Sequence, residues 1–254
     1  MKKLEKYLEK QLRSIEYLLK KPADTFAAIT FHRLRVRIKK LHSLLNLLNY
    51  CFEDFKLKNT SRPFDKIFSQ AGKIREFQIE ETRLKYRLSN NALPIYKSSL
   101  KENQAKAKEI FFLTLKDINL AFLKKTKQYL TPYLKKVKTR PIKKYIKENI
   151  NETQKIIVHG LSTNKKIHHF RKQLKNIQYI LKGTDIESEN KLIENSAMLS
   201  DLLGKWHDDR VIIKHLEEID SKKIRPTEKK IIEKIKLNFA SKNAFLLTKI
   251  NSKL

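Results

Sequence analysis

Residues 31–45 read FHRLRVRIKKLHSLL and have two chemically different faces when they are wound as an α-helix. His32, Arg35 and Lys39 follow the spacing i, i+3, i+7, which places them on one stripe that His42 continues. The opposite stripe is apolar and holds Leu34, Ile38, Leu41, Leu45 and Leu48. The pattern predicts a helix with one side in a core and the other side basic.

A second stretch, HHFRKQLKNIQYIL at residues 168–181, repeats this arrangement without gaps. The basic residues agree in type and spacing, and the pairs are His32 with His168, Arg35 with Arg171, and Lys39 with Lys175. The apolar side is again continuous, with Phe170, Leu174, Ile177 and Leu181. The same two-faced helix is therefore predicted twice.

A shorter motif follows each of these helices in the same order. QAGKIREFQI at 70–79 matches LLGKWHDDRV at 202–211. The matched residues are Gly72 with Gly204, Lys73 with Lys205, and Arg75–Glu76 with His207–Asp208. Two matched segments in one order indicate an internal duplication, although lysine-rich helices can also resemble one another by chance.

Helical periodicity extends along the rest of the chain and predicts an all-α fold. Helices are predicted over about 3–20, 24–54, 61–87, 97–138, 141–158, 164–182, 189–219 and 227–252. The pattern allows one break in the 97–138 segment and a bend near Gly204 in the 189–219 segment. Pro63, Gly183 and Thr227 are expected at helix ends, and Pro132 is expected to kink the fourth helix. The chain thus divides into a first half of four helices over about 1–138 and a second over about 139–254.

The composition limits the class of protein. Hydrophobic residues make up 40% of the 254 positions, which is enough for a packed core, and only 4 Gly and 6 Pro argue against a turn-rich β fold. The formal net charge of +30 indicates a polyanionic partner: nucleic acid, an anionic membrane surface or polyphosphate. A lysine-rich proteome encoded by an AT-rich genome is the alternative source of this charge.

Other kinds of site find little support in the sequence. Cys51 is the only cysteine, so an internal disulfide and a cysteine metal cluster are excluded. No histidine spacing typical of a metal site occurs, and Asp208 and Asp209 are expected to pair locally with Arg210 or Lys205. We expect no metal, no cofactor and no catalytic residue. The charged first twenty residues lack the apolar segment of a signal peptide, and no run approaches a membrane span, so a cytoplasmic protein is expected.

Three motifs in order resemble those of the CHAD domain, the conserved histidine α-helical domain. The segments are His32-x-x-Arg35-Val36-x-x-Lys39-Lys40-Leu41, then His168-x-x-Arg171-x-x-x-Lys175-x-x-x-Tyr179, then Leu203-Gly204-x-x-His207-Asp208. The resemblance spans nearly the whole chain. It implies one compact domain of two four-helix bundles related by pseudo-twofold symmetry, with a central basic cavity. It also implies inorganic polyphosphate as the ligand and association with polyphosphate granules.

The predicted polyphosphate-binding residues come from these stripes and from their basic neighbours. They are His32, Arg35, Arg37, Lys39, Lys40, His42, Lys73, Arg75, His168, Arg171, Lys172, Lys175, Lys205 and His207. Some positions depart from the family pattern. Lysine replaces arginine at 39 and 40, Asn176 and Gln178 replace basic residues, and Ala71 replaces leucine. These departures predict weaker anion binding by the second half.

Two other functions fit parts of the sequence. A protein that binds nucleic acid non-specifically would share the charge, but aromatic residues rarely alternate with the basic stripe, so stacking platforms are not evident. A phosphoanhydride-processing enzyme would need acidic residues to hold Mg²⁺, and the sequence has no such cluster. The sequence therefore predicts a binding protein without enzymatic activity.

Overall fold

The computed structural model describes residues 2–85, 92–187, 190–219 and 224–254, and within these ranges it is helical without any strand. The described ranges contain ten α-helices: α1 (Lys2–Leu19), α2 (Ala28–Cys51), α3 (Leu57–Lys85), α4 (Pro94–Lys116), α5 (Ala121–Lys136), α6 (Thr139–Val158), α7 (Asn164–Gly183), α8 (Lys191–Glu194), α9 (Ser196–Glu217) and α10 (Pro226–Asn251). A single 3₁₀ turn, Ala23–Thr25, precedes α2. The all-α prediction is confirmed.

Several predicted helix ends are wrong for identifiable reasons. Helix α3 begins at Leu57 and continues across Pro63, although proline cannot donate the helical hydrogen bond. Helix α10 begins with Pro226 in its first turn rather than with a Thr227 cap, because the fixed φ of proline suits that position. Gly183 does not cap α7: it is the last residue of the helix and lies against the ring of Tyr7. The predicted segment 97–138 contains the one break that the prediction allowed, between α4 and α5, and Pro132 lies inside α5.

The apolar stripes of the two repeated helices form the core. Leu34, Ile38, Leu41 and Leu45 of α2 are completely buried, and so are Phe170 and Leu174 of α7. Complete burial of one such side chain stabilises the fold by about 1.5–3 kcal/mol. One hydrophobic cluster joins residues of α1 and α2 to Ile146 and Ile177 and therefore crosses the predicted boundary near residue 138. Trp206 is buried in another cluster, as predicted for a core residue.

Buried charges join α9 to the first half of the chain. Arg83 of α3 lies 3.8 Å from a carboxylate oxygen of Asp208 and 3.6 Å from one of Asp209, and Lys242 of α10 lies 3.6 Å from Asp209. The predicted local pairing of these aspartates with Arg210 or Lys205 is therefore wrong. A completely buried carboxylate requires a cationic partner, and these pairs fix α9 against α3. His207, which precedes the aspartates, is thereby positioned beside α2.

A second buried group strengthens the contact between α3 and α9. The carboxylate of Glu80, completely buried on α3, lies 2.7 Å from Nδ1 of His215 and accepts a hydrogen bond from the Tyr96 hydroxyl. This contact raises the pKa of His215 against the opposing effect of burial. Within the ranges described, none of the helices is both long enough and apolar enough to serve as a transmembrane segment.

Candidate anion-binding site

A cavity of about 450 Å³ lies among α2, α3, α7 and α9. Eight of the predicted residues line it: Arg35, Lys39, His42, His168, Arg171, Lys172, Lys175 and His207. They come from both predicted halves of the chain, because α2 and α7 turn their basic stripes toward each other while their apolar stripes enter the core. The matched spacing of the two stripes thus brings the cations to one place.

Arg35 is held by helix α3. One of its terminal nitrogens donates to the backbone carbonyl oxygen of Phe68 at 2.7 Å, and its guanidinium carbon lies 4.0 Å from the centre of the Phe68 ring. Gly72 allows this approach, since a methyl carbon at position 72 would overlap Nη1 of Arg35. The guanidinium is therefore fixed in place before any ligand binds, through a hydrogen bond and a cation–π contact.

Arg171 lies on the opposite side of the cavity and is less constrained. Its buried Nε has no hydrogen-bond partner in the described part of the chain. Burial lowers the pKa of Arg171, with Asp208 and Tyr179 opposing the shift. A buried guanidinium donor without an acceptor can bind an anionic oxygen, because such a contact replaces the lost hydration.

Lys39 lies near both arginines, and the charge of each lowers its pKa. Burial and the charges of Arg171, Arg35 and Lys175 lower its pKa to about 7, against a weaker opposing effect of Asp208. Its ammonium is 5.8 Å from the centre of the Phe68 ring. Near neutral pH a polyanion would therefore favour the charged form of Lys39.

Histidines occupy the α9 side of the cavity. The rings of His168 and His207 lie 5.4 Å apart between their centres. Burial and nearby cations, with Arg171 first among them, lower the pKa of His207 to about 3 and also lower that of His168. Both imidazoles are therefore neutral at pH 7 and can each donate one hydrogen bond.

The cavity carries little negative charge compared with its many basic side chains. Asp65 is the single carboxylate among the described lining residues; it lies 3.2 Å from Nε2 of His42 and accepts a hydrogen bond from Ser61 at 2.7 Å. Burial raises the pKa of Asp208 behind the cavity. The described residues contain no group of three or more His, Cys, Asp or Glu that could hold a metal ion. The arrangement suits an anion.

The other six predicted residues do not line the cavity. His32 and Arg75 lie near it, since the charge of Arg75 lowers the pKa of His32 and that of Arg35. Arg37 and Lys40 lie toward α1, where Arg37 donates to Gln11 at 3.3 Å. Lys73 is exposed on α3, and Lys205 is exposed and pairs with Asp201 at 2.7 Å.

Sequence reasoning assigned none of the neutral residues that line the cavity, and three of them bear on its chemistry. Phe68 is the ring under Arg35, Tyr179 closes one side, and Asn176 donates to the Tyr145 hydroxyl at 2.8 Å. Asn176 and Tyr179 could have been found, because they continue the stripe of Arg171 and Lys175 around α7. No local pattern identifies Phe68, which belongs to another helix.

The comparisons with known proteins identify the family and the fold. The sequence model described as "CHAD domain" matches residues 6–217, most of the chain. The chain belongs to the CHAD family. The fold of this CHAD domain matches the crystal structure of the CHAD domain from the plant Ricinus communis with a TM-score of 0.73 and 15% identity, over 99% of this chain and 90% of that one. It also matches PptA from Streptomyces chartreusis with a TM-score of 0.72 and 11% identity, over 98% of both chains. No curated protein matches the sequence.

Proposed function

We propose that the cavity binds inorganic polyphosphate, and that residues 1–138 and 139–254 each contribute one basic helix to it as repeats of a single domain. One observation carries this proposal. Arg35, Lys39, Arg171 and Lys175 face one cavity from two helices, and none of them forms an ion pair with a carboxylate in the described ranges. Concentrated cations without counter-charges repel one another, and a flexible chain of phosphates neutralises several of them at once.

Family membership supports the same ligand, since the CHAD domain is associated with polyphosphate. The cavity also favours polyphosphate over nucleic acid. Phe68 is covered by the guanidinium of Arg35 and Tyr179 is buried, so neither presents an open face on which a base could stack. Contacts from Arg, Lys and His to phosphate oxygens need no base-edge readout.

The proposed activity is binding without hydrolysis. Phosphoanhydride cleavage in a metal-dependent enzyme requires acidic residues that hold a metal ion near the phosphates. The described lining has one carboxylate, Asp65, which already accepts a hydrogen bond from Ser61. We further propose a cytoplasmic location at polyphosphate granules, which follows from the proposed ligand.

Competition at matched salt tests the proposal. Long-chain polyphosphate should displace a labelled polyphosphate probe from the full chain much better than single-stranded or double-stranded DNA of equal charge concentration. Affinity should fall steeply with salt because most contacts are ionic, and orthophosphate should compete far more weakly because it cannot bridge several cations. Incubation with Mg²⁺ should release no phosphate. Equal competition by DNA would support the nucleic-acid alternative, and phosphate release above a buffer control would contradict binding without turnover.

A further inference from the structure

A second group of cations lies beyond Tyr179, outside the cavity. Lys10 of α1, Arg37 and Lys40 of α2, and Lys182 of α7 form this group, which we call the flank cluster. Burial lowers the pKa of Lys40, and the charges of Arg37, Lys182 and Lys10 lower it further, so these three cations from three helices each lie near Lys40. The structure thus contains a basic surface that the cavity does not include.

The flank cluster lacks counter-charges. None of its four members forms an ion pair with a carboxylate in the described ranges, and the side-chain hydrogen bond found there is to the neutral amide of Gln11, which accepts from Arg37 at 3.3 Å. The hydroxyl of Tyr7, a residue that is 9% exposed, also has no hydrogen-bond partner in the described ranges. Tyr7 lies near Arg37 and Tyr179, since both affect its pKa. A buried hydroxyl donor beside unpaired cations suits an anionic oxygen.

The flank cluster is continuous with the cavity through α7. Tyr179 lines the cavity, and the ammonium of Lys40 lies 5.9 Å from the centre of its ring. Lys182 lies close enough to lower the pKa of Lys40 in the cluster and that of Lys175 in the cavity. Lys175, Tyr179 and Lys182 follow the spacing i, i+4, i+7 and so share one face of the helix. Basic groups therefore lie on both sides of Tyr179, in the cavity and in the flank cluster.

We propose that the flank cluster is a second binding segment for the same polyanion, so that a long phosphate chain extends from the cavity over Tyr179 to Lys40 and Lys182. This inference rests on the proposed function and adds a consequence for length. A short chain fills the cavity alone, whereas a long chain contacts both segments. Contacts with the flank cluster, outside the cavity, therefore make the protein bind long chains more tightly than short ones.

Two ligands and two double variants test the inference. Isothermal titration of the full chain with long-chain polyphosphate and with tripolyphosphate compares wild type with Lys40→Ala/Lys182→Ala. The variant should lose about tenfold or more in affinity for the long chain, because ionic contacts are removed, and less than about twofold for tripolyphosphate. The control Lys229→Ala/Lys230→Ala removes the same charge from α10, which lines neither segment, and should leave the preference for long chains unchanged.

Tyr7→Phe removes one hydroxyl and no charge. A loss of affinity in this variant would therefore come from a lost contact and not from a weaker overall positive field. The substitution should weaken long-chain binding about two- to fivefold and leave tripolyphosphate binding unchanged. Equal losses for both ligands in Lys40→Ala/Lys182→Ala, or equal losses in the α10 control, would overturn the inference while leaving the cavity as the binding site. If wild type bound neither ligand, the proposed function itself would fail.

Discussion

The two sides of the cavity carry the same residue types in different surroundings. On the α2 side, Arg35 donates to the carbonyl of Phe68, stacks on its ring and lies against Gly72. On the α7 side, the buried Nε of Arg171 has no hydrogen-bond partner among the described residues, and no described side chain lies within 4 Å of the place where a methyl carbon on Gly204 would lie. The two matched stretches therefore hold one fixed guanidinium and one whose Nε is available to a ligand within the described part of the chain.

This difference predicts different roles for the two arginines in binding an anion. A guanidinium that already donates to the protein has fewer donors for a ligand, but it loses little conformational entropy on binding. A buried donor without an acceptor gains a full charge-assisted hydrogen bond when an anionic oxygen arrives. The second half was expected from its sequence to bind the anion less tightly, and the surroundings of Arg171 favour the opposite order for this pair.

Replacing the two arginines in turn gives the largest expected effect. Arg171→Ala should weaken long-chain polyphosphate binding about tenfold to a hundredfold, because a charge-assisted hydrogen bond contributes about 1.5–3 kcal/mol. Arg35→Ala should cost about tenfold or less. Titration calorimetry of both variants, with circular dichroism to check the fold, measures the difference. A larger loss of affinity for Arg35→Ala than for Arg171→Ala would contradict the roles proposed for the two arginines.

The two matched glycines give a smaller and more selective effect. Gly72→Ala should weaken polyphosphate binding about three- to tenfold, because the new methyl group displaces the flexible end of Arg35 while the helix gains propensity. Gly204→Ala is the matched control and should leave affinity unchanged while raising stability by about 0.5–1 kcal/mol. Binding assays and thermal melts of both variants are needed. Unchanged affinity in Gly72→Ala would mean that the position of Arg35 does not matter.

The pH dependence of polyphosphate binding tests the role of Lys39 in the cavity. Lys39 has a pKa near 7 in the free protein, and a bound polyanion raises it by favouring the ammonium. Affinity is therefore greatest below that pKa and falls as the pH rises through it, by at most about tenfold per pH unit for one proton. Lys39→Arg stays charged and should flatten the profile between about pH 6 and pH 9. A profile that is equally steep in the variant would exclude Lys39 as the titrating group.

Most of the fold could be predicted because its determinants are local. The apolar stripes of α2 and α7 follow the helical period, and the buried leucines are those that the period selects. The helix ends were harder, since Pro63 and Pro226 each permit more than one start. The partners of Asp209 were missed because Arg83 and Lys242 come from helices distant in sequence, and spacing does not encode tertiary pairing.

The residues of the candidate site also differ in how far a local sequence pattern predicts them. The residues in the stripe of Arg35 and Lys39 reach the cavity because helical spacing alone places them together. Successive residues of a helix are rotated by roughly 100°, so Arg37 and Lys40 lie off that stripe. They lie on the side of α2 that faces α1. The role of Phe68 and Gly72 depends on the approach of α3 to α2, which no local pattern in the sequence indicates.

The claim that a specific cavity rather than net charge binds polyphosphate is tested most directly by two variants of equal charge. Arg35→Ala/Arg171→Ala removes one cation from each side of the cavity, whereas Lys73→Ala/Lys205→Ala removes one exposed lysine from each half, at positions outside the lining. Titration with long-chain polyphosphate at one salt concentration compares them with wild type. We predict a loss of about a hundredfold or more for the arginine pair and less than about threefold for the lysine pair. Equal losses in the two variants would contradict a cavity site and support a diffuse field.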